Sequence, residues 1–393
     1  MKIPRLDVDA GTFAKNLWER FSNRYGEVRA QKLLTALSRP VREFAVRVTL
    51  TKATRKEIAE FFEKNSWKAS PHPLLEEMIL IQTKGPRALP YLPATPRITC
   101  DKIAAENVFI GANLFWPGVQ KVPKLRKEEQ VSITSPLDQI VAIGISNMHS
   151  GERKTSGIAI RTIQSFYEVP SLRKLGFHGS GKVYSQSLPA AYVAHVLNPK
   201  PREVIVDLCA APGGKATSAA ILTRDKAKII AFDRSKKRIK KMQQLIKQQQ
   251  LTSIRIIRAN SIEYFKSHNI RADKVIVDPS CSAIGVRPKM YEKTTDKEII
   301  SVSKYQKSFL WVAEKILRKG GTITYSTCTL EPEENEKVIA YAVQELGLKE
   351  IEPELVMGTK GEDTGDGLEL ESMRRFYPDQ FDTPGFFVAK LVK

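Results

Sequence analysis

An α/β protein with a doubly wound parallel sheet in its C-terminal half is the fold class that this sequence predicts. Three observations carry that expectation. From about residue 171 onward, strand-like apolar runs alternate with helical segments, the pattern of βαβ units. One run, Val204-Ile205-Val206-Asp207, opens into Leu208-Cys209-Ala210-Ala211-Pro212-Gly213-Gly214-Lys215, a glycine turn that leads into a helix. Two more runs end in cysteine-bearing segments, Asp278-Pro279-Ser280-Cys281 and Ser326-Thr327-Cys328-Thr329. In an open α/β sheet, ligands gather outside the carboxyl ends of the strands. The turn, the Asp and the two thiols are therefore expected to meet in one crevice.

The chain before that half divides in two. Residues 1–90 read as a small α/β unit, with helices expected over Asp9 to Arg20, Val28 to Ser38 and Thr54 to Lys64, the last capped by Thr54. Strands are expected over Phe44 to Leu50 and Met78 to Ile81. A proline cluster, Pro86, Pro90, Pro93 and Pro96, marks a linker. Residues 91–170 then break into short apolar runs cut by Gly and Pro, such as Asn107 to Gly111, Gln139 to Gly144 and Gly157 to Ile160, a spacing that suits a compact β-barrel. In the C-terminal half the expected strands are 203–208, 228–232, 254–258, 274–277 and 321–325, and the expected helices 215–223, 235–250 and 304–318.

Composition bounds what such a chain does. At 393 residues and 42% hydrophobic content it has ample material for two or three packed domains. No run approaches about 18 apolar residues, so no membrane helix is expected. Met1-Lys2-Ile3-Pro4-Arg5-Leu6-Asp7 lacks an apolar core, so no secretory signal is expected either. The four cysteines make no disulfide framework, and the five His residues lie scattered without Cys at ligand spacing. A reduced, cytosolic protein without a metal is the expectation; the sequence leaves the oligomeric state open, with a monomer favoured. The net charge of +20 favours a polyanionic partner, because each neutralised phosphate releases counterions. One face of the 235–250 helix, with Lys236, Lys237, Arg238, Lys240, Lys241 and Lys247, is basic, although a charged helix face is first of all a solvated one.

The glycine turn does not fit a pyrophosphate. The GxGxxG pattern is absent, and Lys215 is followed by Ala216, where a phosphate-binding loop needs Ser or Thr. Asp233, about 20 residues farther on at the end of the next strand, is placed to accept from ribose hydroxyls. Ribose without pyrophosphate points to S-adenosylmethionine. Of the thiols, Cys100 and Cys209 read as packing, whereas Cys281 and Cys328 stand at strand ends beside polar residues and read as reagents.

Together these residues resemble the Nop2/Sun family of RNA cytosine-5 methyltransferases. The likeness covers 171–393: Asp207 to Lys215, Asp233, Asp278 to Arg287, Tyr325 to Thr329, Arg375-Phe376-Tyr377-Pro378 and Gly385-Phe386-Phe387. Its two cysteines set it apart from DNA cytosine-5 methyltransferases, whose nucleophile occupies the Pro-Cys motif. The resemblance implies a Rossmann-like methyltransferase core that binds S-adenosylmethionine through Cys209, Ala210, Ala211, Pro212, Gly213, Gly214, Lys215, Asp233, Arg238, Asn260 and Asp278. It implies Cys328 as the nucleophile that adds to cytosine C6, Cys281 as the group that helps resolve the adduct, and Asp278 as the group that holds the base. Lys215 would tune charge in the same crevice. Residues 91–170, through Gly111-Ala112-Asn113-Leu114 and Pro117-Gly118-Val119, resemble a PUA domain, and residues 1–90 an RRM-like α+β module. A PUA domain ahead of such a core is similar to the branch that methylates the acceptor end of tRNA, which makes tRNA the expected partner.

Three residues depart from the family pattern: Ser280 where Pro usually precedes the cysteine, Asn260 where Asp is common, and Asp379 where His is common. Competing readings are a catalytically silent RNA-binding protein, a thiol oxidoreductase using Cys281 and Cys328, and methylation of rRNA or of another tRNA position.

Overall fold

The continuous apolar runs of the C-terminal half are long enough for strands and too short for free-standing helices. In the computed structural model they form the middle of a large sheet. The structure describes residues 15–90, 92, 94–364, 367–368 and 370–393. Within those residues the strands assemble into three sheets, and the contacts divide the chain into two compact units. The first unit takes the described residues up to Phe44, Ile81–Ser171 and Arg287–Lys293; the second takes Ala45–Leu80, Leu172–Val286 and Thr294–Lys393.

The second unit holds a nine-stranded sheet. Its order runs Ile254–Arg258, Lys228–Asp233, Val204–Asp207, Ala272–Val277, Leu317–Thr327, Phe386–Val392, Arg374–Phe376 and Thr359–Lys360, with Lys349–Glu350 paired beside Phe386–Val392. The first five strands are parallel and the later ones antiparallel. Strand order reverses at Val204–Asp207, so the switch point of the doubly wound fold, where ligands bind, falls at the end of that strand. The helices Gly214–Leu222, Lys236–Gln249 and Asp296–Ile316 begin close to their expected positions or earlier. The last starts eight residues before the expected 304 because Thr295 and Glu298 form a reciprocal capping box.

A four-stranded sheet in the order Val183–Ser185, Glu43–Val48, Met78–Gln82 and Ala69–Pro71 accompanies this core. Thr54 caps Arg55–Lys64 as expected, again with a capping box to Glu57. Part of the helix expected over Asp9 to Arg20 lies outside the described residues; the described helix is Lys15–Tyr25.

In the first unit, a six-stranded sheet runs Leu114–Phe115, Ile158–Ser165, Ile140–Ser146, Gln130–Thr134, Arg97–Cys100 and Val119–Lys121. Its two edge strands are joined by the single turn Trp116–Gly118, so the sheet must curl until its edges nearly meet. The run Asn107 to Gly111, expected among the barrel strands, instead ends the helix Lys102–Phe109. Asp101 caps that helix through Ala104 N–H at 2.8 Å, and Ala105, Val108 and Phe109 bury its inner face. An apolar run of five residues suits either element, and the cap decided it.

Candidate active site

Three neighbouring strands deliver the glycine turn, Asp278 and the two thiols. Val204–Asp207 is apolar up to its last residue, as a strand covered on both faces tends to be, and it stops where Leu208-Cys209 enters the turn. Gly213 has φ 108°, and a Cβ there would stand 2.9 Å from Met242 Cγ, so glycine is needed for both the left-handed backbone and the close approach. Ala272–Val277 ends at Asp278, and its neighbour Leu317–Thr327 ends at Cys328, with Val277 opposite Tyr325. That register places Ser326 beside Asp278, and Ser326 Oγ donates to Asp278 Oδ1 at 2.7 Å. Lys215 Nζ donates to the other carboxylate oxygen at 2.6 Å. Burial opposes the Lys215 charge, but Asp278, with help from Cys328 and Asp207, holds its ammonium above its ordinary value.

Two cavities flank this strand end, and Cys209 lines both. The larger, about 250 Å³, is walled by Tyr184, Gln186, Asp207, the 209–212 backbone, Gly214, Lys215 and Asp278. The smaller, about 50 Å³, lies among Asp233, Arg238, Asn260, Ser261, Tyr305 and Phe309. Asp233 accepts from Ser235 N–H at 2.8 Å and sits 3.3 Å from Arg238 Nη2, which also donates to the carbonyl of Ala211. Asn260 caps the short helix Ser261–Tyr264 through Ile262 N–H. Asp207 is the exception among these paired groups. Its Oδ1 accepts from Cys209 N–H at 3.1 Å, while Oδ2 is buried with no partner. Burial pushes its carboxyl up to about 7, against the lowering effect of that bond. An orphaned acceptor in the larger cavity suits the ammonium of an amino acid, and Asp233 and Asn260 in the smaller one suit a nucleoside. The two cavities together therefore fit S-adenosylmethionine, whose two ends have those chemistries.

The two thiols lie two and three residues beyond the Ser326–Asp278 bond, on the segments that leave those two strand ends. Cys281 Sγ and Cys328 Sγ are 3.3 Å apart, both half-buried. The bond to Cys328, and then burial, raise the Cys281 thiol well above its ordinary value. The loop carrying Cys281 is held from several sides. Gly285 N–H donates to Cys328 O at 3.0 Å, and Gly385 N–H donates to Gly285 O at 2.8 Å. A Cβ on Gly285 would fall 2.2 Å from Gly385 O, so the two backbones touch there. Ser282 N–H donates to the buried Glu334 at 3.0 Å, and Gln306 bridges Glu334 and Ser280 O. Cys100, by contrast, is sealed in the barrel core, as expected for a packing residue. Among the described residues no cluster of His, Cys, Asp and Glu could hold a metal, and no helix is long and apolar enough to cross a membrane.

The candidate residues read from the sequence fall at or just beyond the carboxyl ends of the five parallel strands, with Lys215 and Arg238 in the first turns of the helices that follow two of them. Several of the site's supports did not stand out: Ser326, Glu334, Gln186 and above all Arg47. The run Phe44 to Leu50 alternates as a strand with one wet face would, yet Ala45 to Val48 are all buried. The available signal was a lone arginine in an otherwise apolar run.

Comparison with known proteins agrees with the motifs. Residues 194–392 match the family described as 16S rRNA methyltransferase RsmB/F, and residues 96–165 match the PUA domain. The chain is 37% identical to a tRNA (cytosine(72)-C(5))-methyltransferase of Pyrococcus horikoshii, over 97% of each chain. It is 29% identical to the tRNA (cytosine(72)-C(5))-methyltransferase NSUN6 of Mus musculus, over 95% of this chain and 91% of that one. A crystal structure of NSun6 from Pyrococcus horikoshii with SFG matches with a TM-score of 0.89 at 36% identity, covering 98% of this chain and 99% of that one.

Proposed function

This chain belongs to the RsmB/F (Nop2/Sun) methyltransferase family, and from that premise we propose that it methylates C5 of cytosine 72 at the acceptor end of tRNA. The observation that carries the chemistry is the pair of thiols 3.3 Å apart, tied through Asp278 to the cavity that fits the methyl donor. Residues 209–215, Asp233, Arg238, Asn260 and Asp278 hold S-adenosylmethionine, which supplies an electrophilic methyl group when bound.

The protein's own residues make the base reactive. Cytosine C5 is a weak nucleophile, and addition of the Cys328 thiolate to C6 moves an electron pair onto C5. Asp278 holds the N3 side of the ring, with Lys215 and Ser326 fixing its carboxylate. Cys281, kept protonated by its surroundings, donates to the Cys328 sulfur and so favours the thiolate. Once C5 carries its methyl group, loss of the C5 proton re-forms the 5,6 double bond and expels Cys328; Cys281 assists that release.

Reaction at C6 requires the base to leave its stack, at a cost of a few kcal/mol that is smallest at a helix end. A cytosine at the acceptor end meets that condition, and the barrel of residues 91–170 is suited to grip the adjoining single strand. The RRM-like module of residues 1–90 and the net charge of +20 add to tRNA affinity. Four unbridged cysteines suit a cytosolic enzyme.

The test is bisulfite sequencing of unmodified tRNA after incubation with the protein and S-adenosylmethionine. Conversion-resistant signal should appear at position 72 and vanish with Cys328→Ala, while gel-shift binding of tRNA persists. Methylation undiminished in Cys328→Ala would overturn the nucleophile, and signal elsewhere would overturn the site.

A further inference from the structure

Arg47 lies on the strand Glu43–Val48, far outside the segment that matches the methyltransferase family, yet its guanidinium ends at the glycine turn. It is fully buried. Nη1 donates to Gln186 Oε1 at 2.7 Å, Gly214 O at 2.6 Å and Ser218 Oγ at 2.5 Å, and Nη2 donates to Thr217 Oγ1 at 2.7 Å. The Tyr184 ring lies 5.2 Å from its Cζ. Three of these neighbours, Tyr184, Gln186 and Gly214, line the larger cavity.

The charge balance there is unusual. All four acceptors of Arg47 are neutral oxygens, and it forms no ion pair among the described residues. The carboxylate that most favours its charge, Glu77, is itself bonded to His195 Nε2 at 2.9 Å. Burial lowers the Arg47 pKa to about 10, which leaves it charged at neutral pH. A buried cation without a counter-charge is costly and is kept where something else meets it. Across the same cavity, Asp207 holds a carboxylate oxygen with no partner, while Asp278 and Lys215 satisfy each other. The cavity thus presents one unmatched negative group on its wall and one unmatched positive group just behind it. The positive end of the helix Gly214–Leu222 adds to the latter.

That pattern complements a zwitterion. We propose that Arg47 is a positioning residue for the amino-acid end of S-adenosylmethionine: it aims the Gln186 amide and the Gly214 turn at the carboxylate, while Asp207 receives the ammonium. This rests on the methyl-donor reading of the cavity. A segment outside the methyltransferase match thereby sets the affinity of the cofactor site.

Calorimetry with two ligands tests it. S-adenosylhomocysteine carries the amino-acid group; 5′-methylthioadenosine has the same nucleoside and thioether without it. In the full chain, Arg47→Met should weaken S-adenosylhomocysteine by about tenfold or more, the scale of one lost charge-assisted contact. It should change 5′-methylthioadenosine by less than about twofold, and Arg47→Lys should recover part of the loss. Gln186→Leu keeps the buried charge but breaks its link to the cavity; it should show the same selectivity and decides the matter if Arg47→Met does not fold. Equal weakening of both ligands, or of neither, would overturn the positioning role. If the unaltered protein bound neither ligand, the methyl-donor reading would fail with it.

Discussion

The barrel of the first unit and the crevice of the second each end a strand on cysteine, and the two ends have opposite fates. Cys100 closes the strand Arg97–Cys100, where its Sγ donates to Thr134 O at 3.3 Å among the side chains of the barrel core. Burial, and then the adjacent Asp101, push its thiol up to about 12. Cys328 also follows a strand, but its sulfur meets a second thiol, and Lys215 and Asp278 stand nearby. A strand end is therefore not enough to make a thiol a reagent. What matters is whether the strand opens toward a crevice with charges of both signs or is covered by its own core.

The comparison is broken most directly at Cys281. With Cys281→Ala, turnover should fall by roughly a hundredfold or more, the usual scale for a lost proton-transfer group, and protein–RNA conjugates should build up on denaturing gels. Absence of conjugates together with normal turnover would return Cys281 to the same class as Cys100.

A second change attacks the frame that holds Cys328 in place. Arg375 and Glu336 are both fully buried, and Arg375 also donates to Leu330 O at 2.9 Å, just beyond Cys328. Arg375→Met leaves a buried carboxylate uncompensated and should cost about 3–5 kcal/mol in chemical denaturation. A loss below about 1 kcal/mol would mean that the pair is not what braces this segment.

The effect of pH separates the two regions next. The Asp207 carboxyl is raised to about 7 from 3.8, chiefly by burial, so the folded chain binds this proton more tightly than the unfolded chain does. Its stabilising contribution is complete below the unfolded value and is lost as pH rises through 7. For the ligand-free protein, Asp207→Asn should therefore flatten the decline in stability over that window, by an amount on the order of 4 kcal/mol at most. Parallel stability curves for the two proteins would count against it. The smallest effect belongs to Cys100→Ala, which should cost about 1 kcal/mol of stability and leave methylation unchanged. Lost activity there would erase the contrast between the two regions.

Much of the site was legible along the chain because its chemistry sits in short contiguous motifs. Gly213-Gly214 after an apolar run, Asp233 one unit farther on, and two cysteines after two more runs each keep their meaning in isolation. The helix over Asn107 to Phe109 was not legible, because a five-residue apolar run fits either element until Asp101 caps it. Arg47 was not legible either. In a strand that alternates, every second residue is expected to face water, and only burial on both faces turns this one inward.

By itself, then, the order of residues determined the α/β class, the parallel core, the motifs that carry the two neighbouring thiols and the family, since periodicity and motif are local properties of a chain. Tertiary structure alone decided which cysteine is sealed and which is open, how Gly285 meets Gly385 behind Cys328, and that an arginine from the N-terminal segment reaches the glycine turn. Those are contacts between residues up to 171 positions apart. Solvation, charge compensation and close packing depend on what the fold brings together, and no window of neighbouring residues contains that information.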